Sequence, residues 1–133
     1  MAVTLTAAAR NAACNAIVDL IDAGAAAGNL ILYLANASTE VATLPLNDPA
    51  FGNSGAVNPG EAVMDVDPAV TDTSATGNAA AATIAMFKDS DGTEVLRCSV
   101  SATGGGGDIV LTNNVIAATD TVTISALTVT VPA

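Results

Sequence analysis

Near the start of the chain, apolar residues recur every three to four positions, and polar residues fill the gaps between them. The apolar set is Leu5, Ala9, Ala13, Ile17, Leu20 and Ile21, and the polar set is Arg10, Asn11, Asn15 and Asp22. This spacing is that of an amphipathic α-helix. We therefore predict a helix over residues 5–23 that buries the apolar set. Thr4 or Thr6 should cap its first turn, and Gly24 should end it in a left-handed conformation.

Beyond this helix, short apolar runs alternate with turn-forming residues, a pattern typical of β-strands. Strands are predicted at residues 30–34, 40–46, 108–111, 115–118 and 121–131. The first is apolar at every position, which favours a strand covered on one face by the helix and on the other by a sheet. The last contains a change of phase, because its early apolar residues are even-numbered and its late ones odd-numbered. We expect a β-bulge or bend at residues 125–127.

The clearest hairpin spans residues 81–101, with Asp89-Ser90-Asp91-Gly92 as its turn. Asp-Gly between alternating runs supplies the positive φ values that tight turns need. The register assigns to the core face Thr83, Ala85, Phe87, Leu96, Cys98 and Val100. On the opposite face it places Ile84, Met86, Lys88, Val95, Arg97 and Ser99. Phe51, which follows another turn-rich segment, is expected to plug the core.

Residues 53–78 are mostly Gly, Asn, Pro, Asp, Thr and Ser, with one short apolar alternation near Met64. Loops longer than about 15 residues are uncommon in compact domains unless they have a function. We interpret this segment as a contact arm with a short strand inside it. Together, these patterns predict a single domain over residues 1–133 that is mainly β. It has one N-terminal α-helix, and residues 29–133 form an antiparallel β-sandwich or jelly-roll-like arrangement.

Charge narrows the range of partners. Thirteen acidic residues face only three basic ones, Arg10, Lys88 and Arg97, for a net charge of −10. Nucleic acids and acidic membrane surfaces are bound through clustered Lys and Arg, so we expect neither as a partner. The sequence also contains no apolar run long enough to cross a bilayer and no signal-peptide pattern, which predicts synthesis in the cytoplasm.

The candidate chemistry is sparse. The chain has no histidine, which removes the Ser-His-Asp and Cys-His arrangements and the commonest metal ligand. The densest acidic group, Asp65, Asp67 and Asp72, could offer oxygen ligands to Ca²⁺, but solvated loop carboxylates are the commoner case. Cys14 and Cys98 lack C-x-x-C spacing, and we expect two free thiols. We therefore predict no catalytic, cofactor-binding or metal-binding residues and no enzyme activity.

The apolar half of the chain carries little bulk. Only three residues are aromatic, and alanine is the most frequent apolar residue. Burial stabilises in proportion to apolar area, at roughly 25 cal/mol per Å². The core is therefore expected to be thin, and part of the stability to come from neighbouring subunits.

Several segments carry a resemblance that covers most of the chain. They are residues 5–13 and 17–24, the leucine-rich 30–34, the Ala-Thr-Leu element at 42–44, the Asp-Pro-Ala-Phe-Gly turn at 48–52, the Asp-Ser-Asp-Gly-Thr turn at 89–93, and a closing Val/Ile/Thr strand that ends in Val-Pro. In these segments the chain resembles a family of small phage and prophage virion proteins encoded among head genes. The resemblance implies a capsid-associated role, such as that of a cement or decoration protein, and transfers no functional residue.

The leading hypothesis is a bacteriophage virion structural protein of the cement or decoration type, a homo-oligomer that clamps major capsid protein subunits. Packaged DNA would repel an acidic chain, so the outer surface of the head is the expected location. The candidate contacts are residues 53–78 and the face of the N-terminal helix. One alternative is a head-tail connector or tail-associated ring protein. Another is an adhesin or carbohydrate-binding module, although such modules usually expose aromatic rings.

Overall fold

The computed structural model describes residues 2–133, which are mainly β with a single α-helix near the N-terminus. The elements in chain order are α1 (Ala7–Val18), β1 (Asn29–Tyr33), β2 (Glu40–Pro45), β3 (Glu61–Val63), β4 (Val70–Asp72), β5 (Ile84–Lys88), β6 (Glu94–Ala102), β7 (Ile109–Leu111), β8 (Val122–Ile124) and β9 (Thr128–Thr130). The predicted fold class is confirmed, and the arrangement is compatible with a sandwich-like fold.

Five strands form one curled sheet, a half-barrel, in the order β2-β1-β5-β6-β7. Its core face is built from alternate residues, so that Leu30 of β1 lies between Leu44 of β2 and Phe87 of β5. All three side chains are buried. One neighbouring pair, β6 and β7, is parallel, whereas the sequence predicts an antiparallel arrangement. The loop between β6 and β7 first returns past the end of β6, so that β7 starts beside Val100 and runs in the same direction as β6. Gly104 and Gly106 take positive φ values in this loop, which glycine permits.

The last predicted strand is split into two strands with different partners. β8 pairs with β4, and β9 pairs with β3, both antiparallel. Between them, residues 125–127 belong to neither strand, which confirms the predicted break in phase. The predicted strand at 115–118 is wrong, because those residues contain no strand. Ile116 alone is buried there, so the short apolar run supplies one anchor and no alternation.

The segment 53–78 is not a projecting arm. It contains two short strands rather than one, and both pair with the C-terminal strands β8 and β9. Buried apolar residues anchor it, namely Ala62, Met64, Val70 and Ala75. The sequence conceals these anchors because they are small or widely spaced among Gly, Pro and Asn.

Helix α1 is shorter than the predicted helix over 5–23. It spans Ala7–Val18, and residues 19–22 continue as turns. Thr6 is the cap, as one of the two predicted possibilities, and its hydroxyl accepts a hydrogen bond from Ala9 N at 3.2 Å. Gly24 does take a left-handed conformation, with φ of 109°, but within the following turn rather than at the helix end.

The predicted hairpin is confirmed as β5 and β6 around the turn at 89–92. On its core face, Ala85, Phe87 and Val100 are buried, and Leu96 and Cys98 are partly buried. Met86 departs from the prediction because it is also buried, on the opposite face, where the Arg97 guanidinium lies 3.9 Å from its sulfur. Phe51 enters the core as expected, with its ring centroid 5.8 Å from that of Phe87.

Candidate interaction site

Helix α1 turns a different face to the core from the one that its apolar spacing predicts. The buried residues of the helix and the following turn are Cys14, Val18 and Ile21. Of the predicted buried set, Leu5, Ala9 and Leu20 are exposed. Alanine methyl groups add little area to bury, so the polar side chains of this segment decide how the helix is rotated.

Four polar side chains that the helical pattern places on the solvent side instead contact the backbone of other segments. Arg10 Nε donates to Val131 O at 2.9 Å, and Asn11 Oδ1 accepts from Gly60 N at 2.6 Å. The other two bonds are from Ser54 N to Asn15 Oδ1 at 2.7 Å and from Ala50 N to Asp22 Oδ1 at 2.9 Å. These bonds satisfy backbone groups that no strand reaches.

Asn11 and Asn15 lie one helical turn apart, so both side chains leave the same face of α1. Together they hold residues 54–60 against the helix. The contact is close: a Cβ atom at Gly60 would lie 2.6 Å from Val131 O, and this residue has a φ of 81°. Glycine is therefore required at that point. The structure thus brings together the helix and the first part of the segment 53–78, the two contacts that the sequence suggests.

The outward side of this assembly is apolar apart from Asp19, which is exposed. We define the outer helix face as the exposed residues Ala8, Ala12, Ala16 and Leu20. Val3 is 93% exposed, and Val57, in the loop held by Asn11 and Asn15, is 69% exposed. In a chain with a net charge of −10, residues 2–9 carry no charged side chain, and the first acid is Asp19. Apolar spacing along the chain does not single out Val3 and Val57, although the absence of charge from residues 2–9 is visible in the sequence.

Six of the thirteen acidic side chains accept hydrogen bonds from backbone amides. Asp72, one of the three acids that could have formed a Ca²⁺ site, accepts from Thr43 N and Ser74 N, each at 2.9 Å. Asp65 accepts from the backbone of Asp67 at 3.0 Å. Within residues 2–133, no three His, Cys, Asp or Glu side chains converge as metal ligands would. The structure does not bring the predicted acidic group together around a common point.

The pKa values of two aspartates are shifted in opposite directions from the ordinary value. Burial raises the pKa of Asp22, despite its hydrogen bond from Ala50, and the charges of Asp48 and Asp19 raise it further. Hydrogen bonds from the Ser99 side chain and backbone lower the pKa of Asp108. Asp108 Oδ2 lies 2.6 Å from Ser99 Oγ and 2.9 Å from Ser99 N. Asp108 thus covers part of the outer edge of β6.

All three basic side chains are engaged within the molecule. Arg10 contacts Val131 O as described, and Lys88 Nζ donates to Tyr33 Oη at 3.0 Å and lies 5.3 Å from the centre of its ring. Arg97 forms an exposed ion pair with Glu94, at 2.8 Å. The positive charge is therefore dispersed over separate contacts rather than gathered into a patch.

A cleft of about 270 Å³ opens between β6 and β9. Phe87, Leu96, Cys98, Leu127 and Val129 give it apolar walls, and Arg97, Asp108 and Thr128 complete its lining. Both cysteines are free thiols in the structure, with Cys14 fully buried. Burial and the charge of Asp108 raise the pKa of Cys98 to about 11.

Within residues 2–133, no helix combines the length and apolar character that crossing a bilayer requires. No protein-family profile matches the chain, and neither a curated protein nor a solved structure matches it at a significant level. The resemblance to small phage virion proteins therefore remains a prediction from the residues that carry it.

Proposed function

We propose that this protein is a bacteriophage virion structural protein of the cement or decoration type, which binds the outer surface of the head and clamps major capsid protein subunits. The observation that carries the proposal is the outer helix face, an exposed apolar surface that borders Asp19 on a strongly acidic chain. Exposed apolar surface that is rimmed by polar residues is typical of a protein-binding site.

The charge of the molecule favours the exterior of the head. Thirteen acids against three bases give a net charge of −10, and the three bases are held in separate intramolecular contacts. Packaged DNA repels such a surface. Outside the shell, the same charge keeps particles apart, while the apolar helix face allows close approach to the capsid.

Repetition supplies the strength that one small contact lacks. A single face of one short helix is small beside the roughly 1,200–2,000 Å² of a stable protein interface. A subunit that bridges adjacent capsid proteins at many equivalent positions gains avidity from simultaneous contacts. A cement role therefore suits a surface of this size better than a soluble one-to-one complex does.

The aromatic residues argue against the carbohydrate-binding alternative. Tyr33, Phe51 and Phe87 are the only aromatic residues of the chain, and all three are buried. Sugar-binding sites usually present aromatic rings at the surface. The acids that cap backbone amides likewise support a structural role over catalysis.

The experiment is to strip the protein from purified particles with a low concentration of urea, which weakens apolar contacts, remove the urea, measure the heat resistance of the stripped particles, and add the protein back. We expect stripped particles to open at a lower temperature and the added protein to restore them. Quantitative gels should give hundreds of copies per particle. Particles that lose the protein without becoming heat-sensitive would contradict a cement role, and a few copies per particle would indicate a connector or tail ring instead.

The matched variants are Ala12→Asp on the outer helix face and Val110→Asp on β7, which is 53% exposed. Each adds one charge at an exposed position. We expect Ala12→Asp to weaken rebinding to particles at least about tenfold, because an acid there must be desolvated. Val110→Asp should rebind as the wild type does. Equal rebinding by both variants would contradict a role for the helix face.

A further inference from the structure

The outer edge of β6 lacks a partner strand over most of its length. β6 pairs with β5 along one side, from Glu94 to Ser99. On its other side, β7 pairs only with Val100, Ser101 and Ala102. Within the part of the chain that the structure describes, no strand pairs with residues 94–99 on that side. Asp108 Oδ2 accepts from Ser99 N there, so the uncovered edge runs from Glu94 to Cys98. An uncovered edge of this kind is a template for an added strand.

The uncovered edge borders the apolar cleft described above. Leu96 and Cys98 of β6 form one wall, and Leu127 and Val129 form the other, with β9 itself paired only to β3. These four side chains are only partly buried, although they belong to the core faces of their strands. The half-barrel is thus open between β6 and β9, where one more strand would cover the core.

The N-terminal segment of the same chain has the pattern that such a strand needs. In residues 2–6, Val3 and Leu5 alternate with Thr4 and Thr6, and β-branched residues are favoured in strands. These residues form no helix or strand in the structure, and all five are exposed. Thr6, the last of them, has an extended backbone, with φ of −67° and ψ of 160°.

We propose that residues 2–6 of one copy add a strand to the β6 edge of a second copy, with Val3 and Leu5 filling the cleft between β6 and β9. Backbone hydrogen bonds to Val95 and Arg97 would supply the pairing, and the cleft would accept alternate side chains, as in other cases of strand addition. Thr4 and Thr6 would face outward.

Length and charge both suit this pairing. Five extended residues span about 17 Å, the length of the five-residue edge from Glu94 to Cys98. Two copies that each carry a net charge of −10 repel each other, but residues 2–6 are uncharged, and the two charges of the β6 edge, Glu94 and Arg97, form an ion pair with each other. Residues 2–9 and residues 121–133 contain no charged side chain. At the rim, Arg97 and Asp108 carry opposite charges. The inference deepens the proposed function and rests on it for the role of the oligomer, because it names the surface through which copies join.

The test uses the natural thiol in the cleft. The full-length variant Leu5→Cys is oxidised with copper-phenanthroline at pH 10, where about one Cys98 side chain in ten is a reactive thiolate, and analysed by non-reducing gel and peptide mapping. We expect disulfide-linked dimers and larger species in which the introduced sulfur is joined to Cys98. Leu5→Cys combined with Cys98→Ser is the control and should lose this product. A link within one chain would overturn the proposal, since residues 2–6 would then occupy the cleft of their own chain. Links between two introduced sulfurs alone, or no link, would also overturn it.

A second measurement needs no cross-link. Leu5→Asp places a charge on the side of the arm that faces the cleft, and Thr4→Asp places the same charge on the outward side. By sedimentation velocity, we expect Leu5→Asp to raise the dissociation constant for self-association at least about tenfold and Thr4→Asp to change it less than about threefold. Circular dichroism should show both folded. Equal effects of the two substitutions would overturn the proposal.

The two proposals can fail separately. Self-association and cross-linking are measured on the free protein, whereas particle binding is measured on stripped heads with Ala12→Asp. If residues 2–6 do not pair with β6 but the protein still binds particles, only the proposed pairing between copies is wrong. A cross-linked oligomer that does not bind particles would remove only the capsid role.

Discussion

The five-stranded sheet forms one layer, and residues 7–22 together with residues 50–60 form a second. Each layer is stabilised by a different kind of interaction. On the core face of the sheet, large side chains such as Leu30, Leu44 and Phe87 are almost completely buried. In the second layer, Asn11, Asn15 and Asp22 accept hydrogen bonds from loop backbone. Full burial of a leucine or phenylalanine contributes about 1.5–3 kcal/mol, and a typical hydrogen bond contributes about 0.5–1.5 kcal/mol.

This difference shows where the molecule is firm and where it adjusts. The sheet has enough buried bulk to form a stable scaffold. The helix and loop layer should open locally at a lower free energy, as regions with few apolar contacts do. The proposed capsid-binding face lies on this second layer, so contact with a partner would order the part of the molecule that most needs support.

The most damaging change should be Phe87→Ala, in the centre of the sheet. The Phe87 side chain is 2% exposed and contacts Phe51. We expect a loss of about 3–5 kcal/mol in the free energy of unfolding, because truncating a buried phenylalanine leaves a cavity. Urea denaturation followed by far-UV circular dichroism measures it. Val110→Ala, at an exposed position of the same sheet, should cost less than about 0.5 kcal/mol. Similar losses in the two variants would contradict the distinction.

The second layer should respond to Asn15→Ala. This change leaves the buried amide of Ser54 without its acceptor, which costs about 1–3 kcal/mol, partly offset because alanine favours the helix. Hydrogen exchange should accelerate at Ser54 while the amide of Leu30 in the sheet keeps its protection against local opening. Asn53→Ala, at an exposed neighbouring position, is the control. Equal acceleration in the sheet and the loop would mean that the two layers unfold as one unit.

One carboxyl group in each region should change the stability of the protein with pH in the opposite direction from the other. The pKa of Asp22, in the helix layer, is raised above 3.8, mainly by burial, so folding favours its protonated form. That contribution to stability is complete below pH 3.8 and is lost as the pH rises through the folded-state pKa. The pKa of Asp108, beside β6, is lowered below 3.8 by its bonds to Ser99. Its contribution is present above pH 3.8 and is lost as the pH falls through the folded-state pKa.

Carboxyl ¹³C shifts followed by NMR between pH 2 and 7 would test this order. We expect the Asp22 carboxyl to titrate at a higher pH than the Asp108 carboxyl. Asp22→Asn should raise the free energy of unfolding at pH 7 by less than about 1 kcal/mol, since solvent screens a partly exposed group. That gain should vanish below pH 3. The reverse order of titration would contradict the described burial of Asp22.

Where side chains are large and alternate regularly, the sequence predicts the structure well. Phe87 and Val100 on the hairpin lie on the predicted face, and the change of phase at residues 125–127 does divide the last strand. A two-residue period fixes a strand's buried face, and the apolar area of these residues is large enough to enforce it.

The helix layer could not be predicted from apolar spacing. Alanine lies on every side of α1, so the small difference in burial between its faces is outweighed by the bonds of Asn11 and Asn15. The partners of those bonds, Gly60 and Ser54, are about 40 to 50 residues away and have no pattern of their own. The candidate site was therefore predicted in its location on the helix but not in its face.

The rates at which the two thiols react with a reagent in solution probe the cleft and the helix layer separately. Burial and the charge of Asp108 raise the pKa of Cys98 to about 11. Cys14 is fully buried on the inner side of α1. At pH 8, only about one Cys98 side chain in a thousand is then a thiolate, the form that reacts. In dilute protein, we expect iodoacetamide to modify Cys98 at least about a hundredfold more slowly than a free cysteine and about tenfold faster per pH unit up to pH 10. Cys14 should react only on opening of the helix layer, so Asn15→Ala should accelerate its modification and leave that of Cys98 unchanged. A Cys98 rate that levels off below pH 9 would mean that the cleft is more open to water than the structure shows.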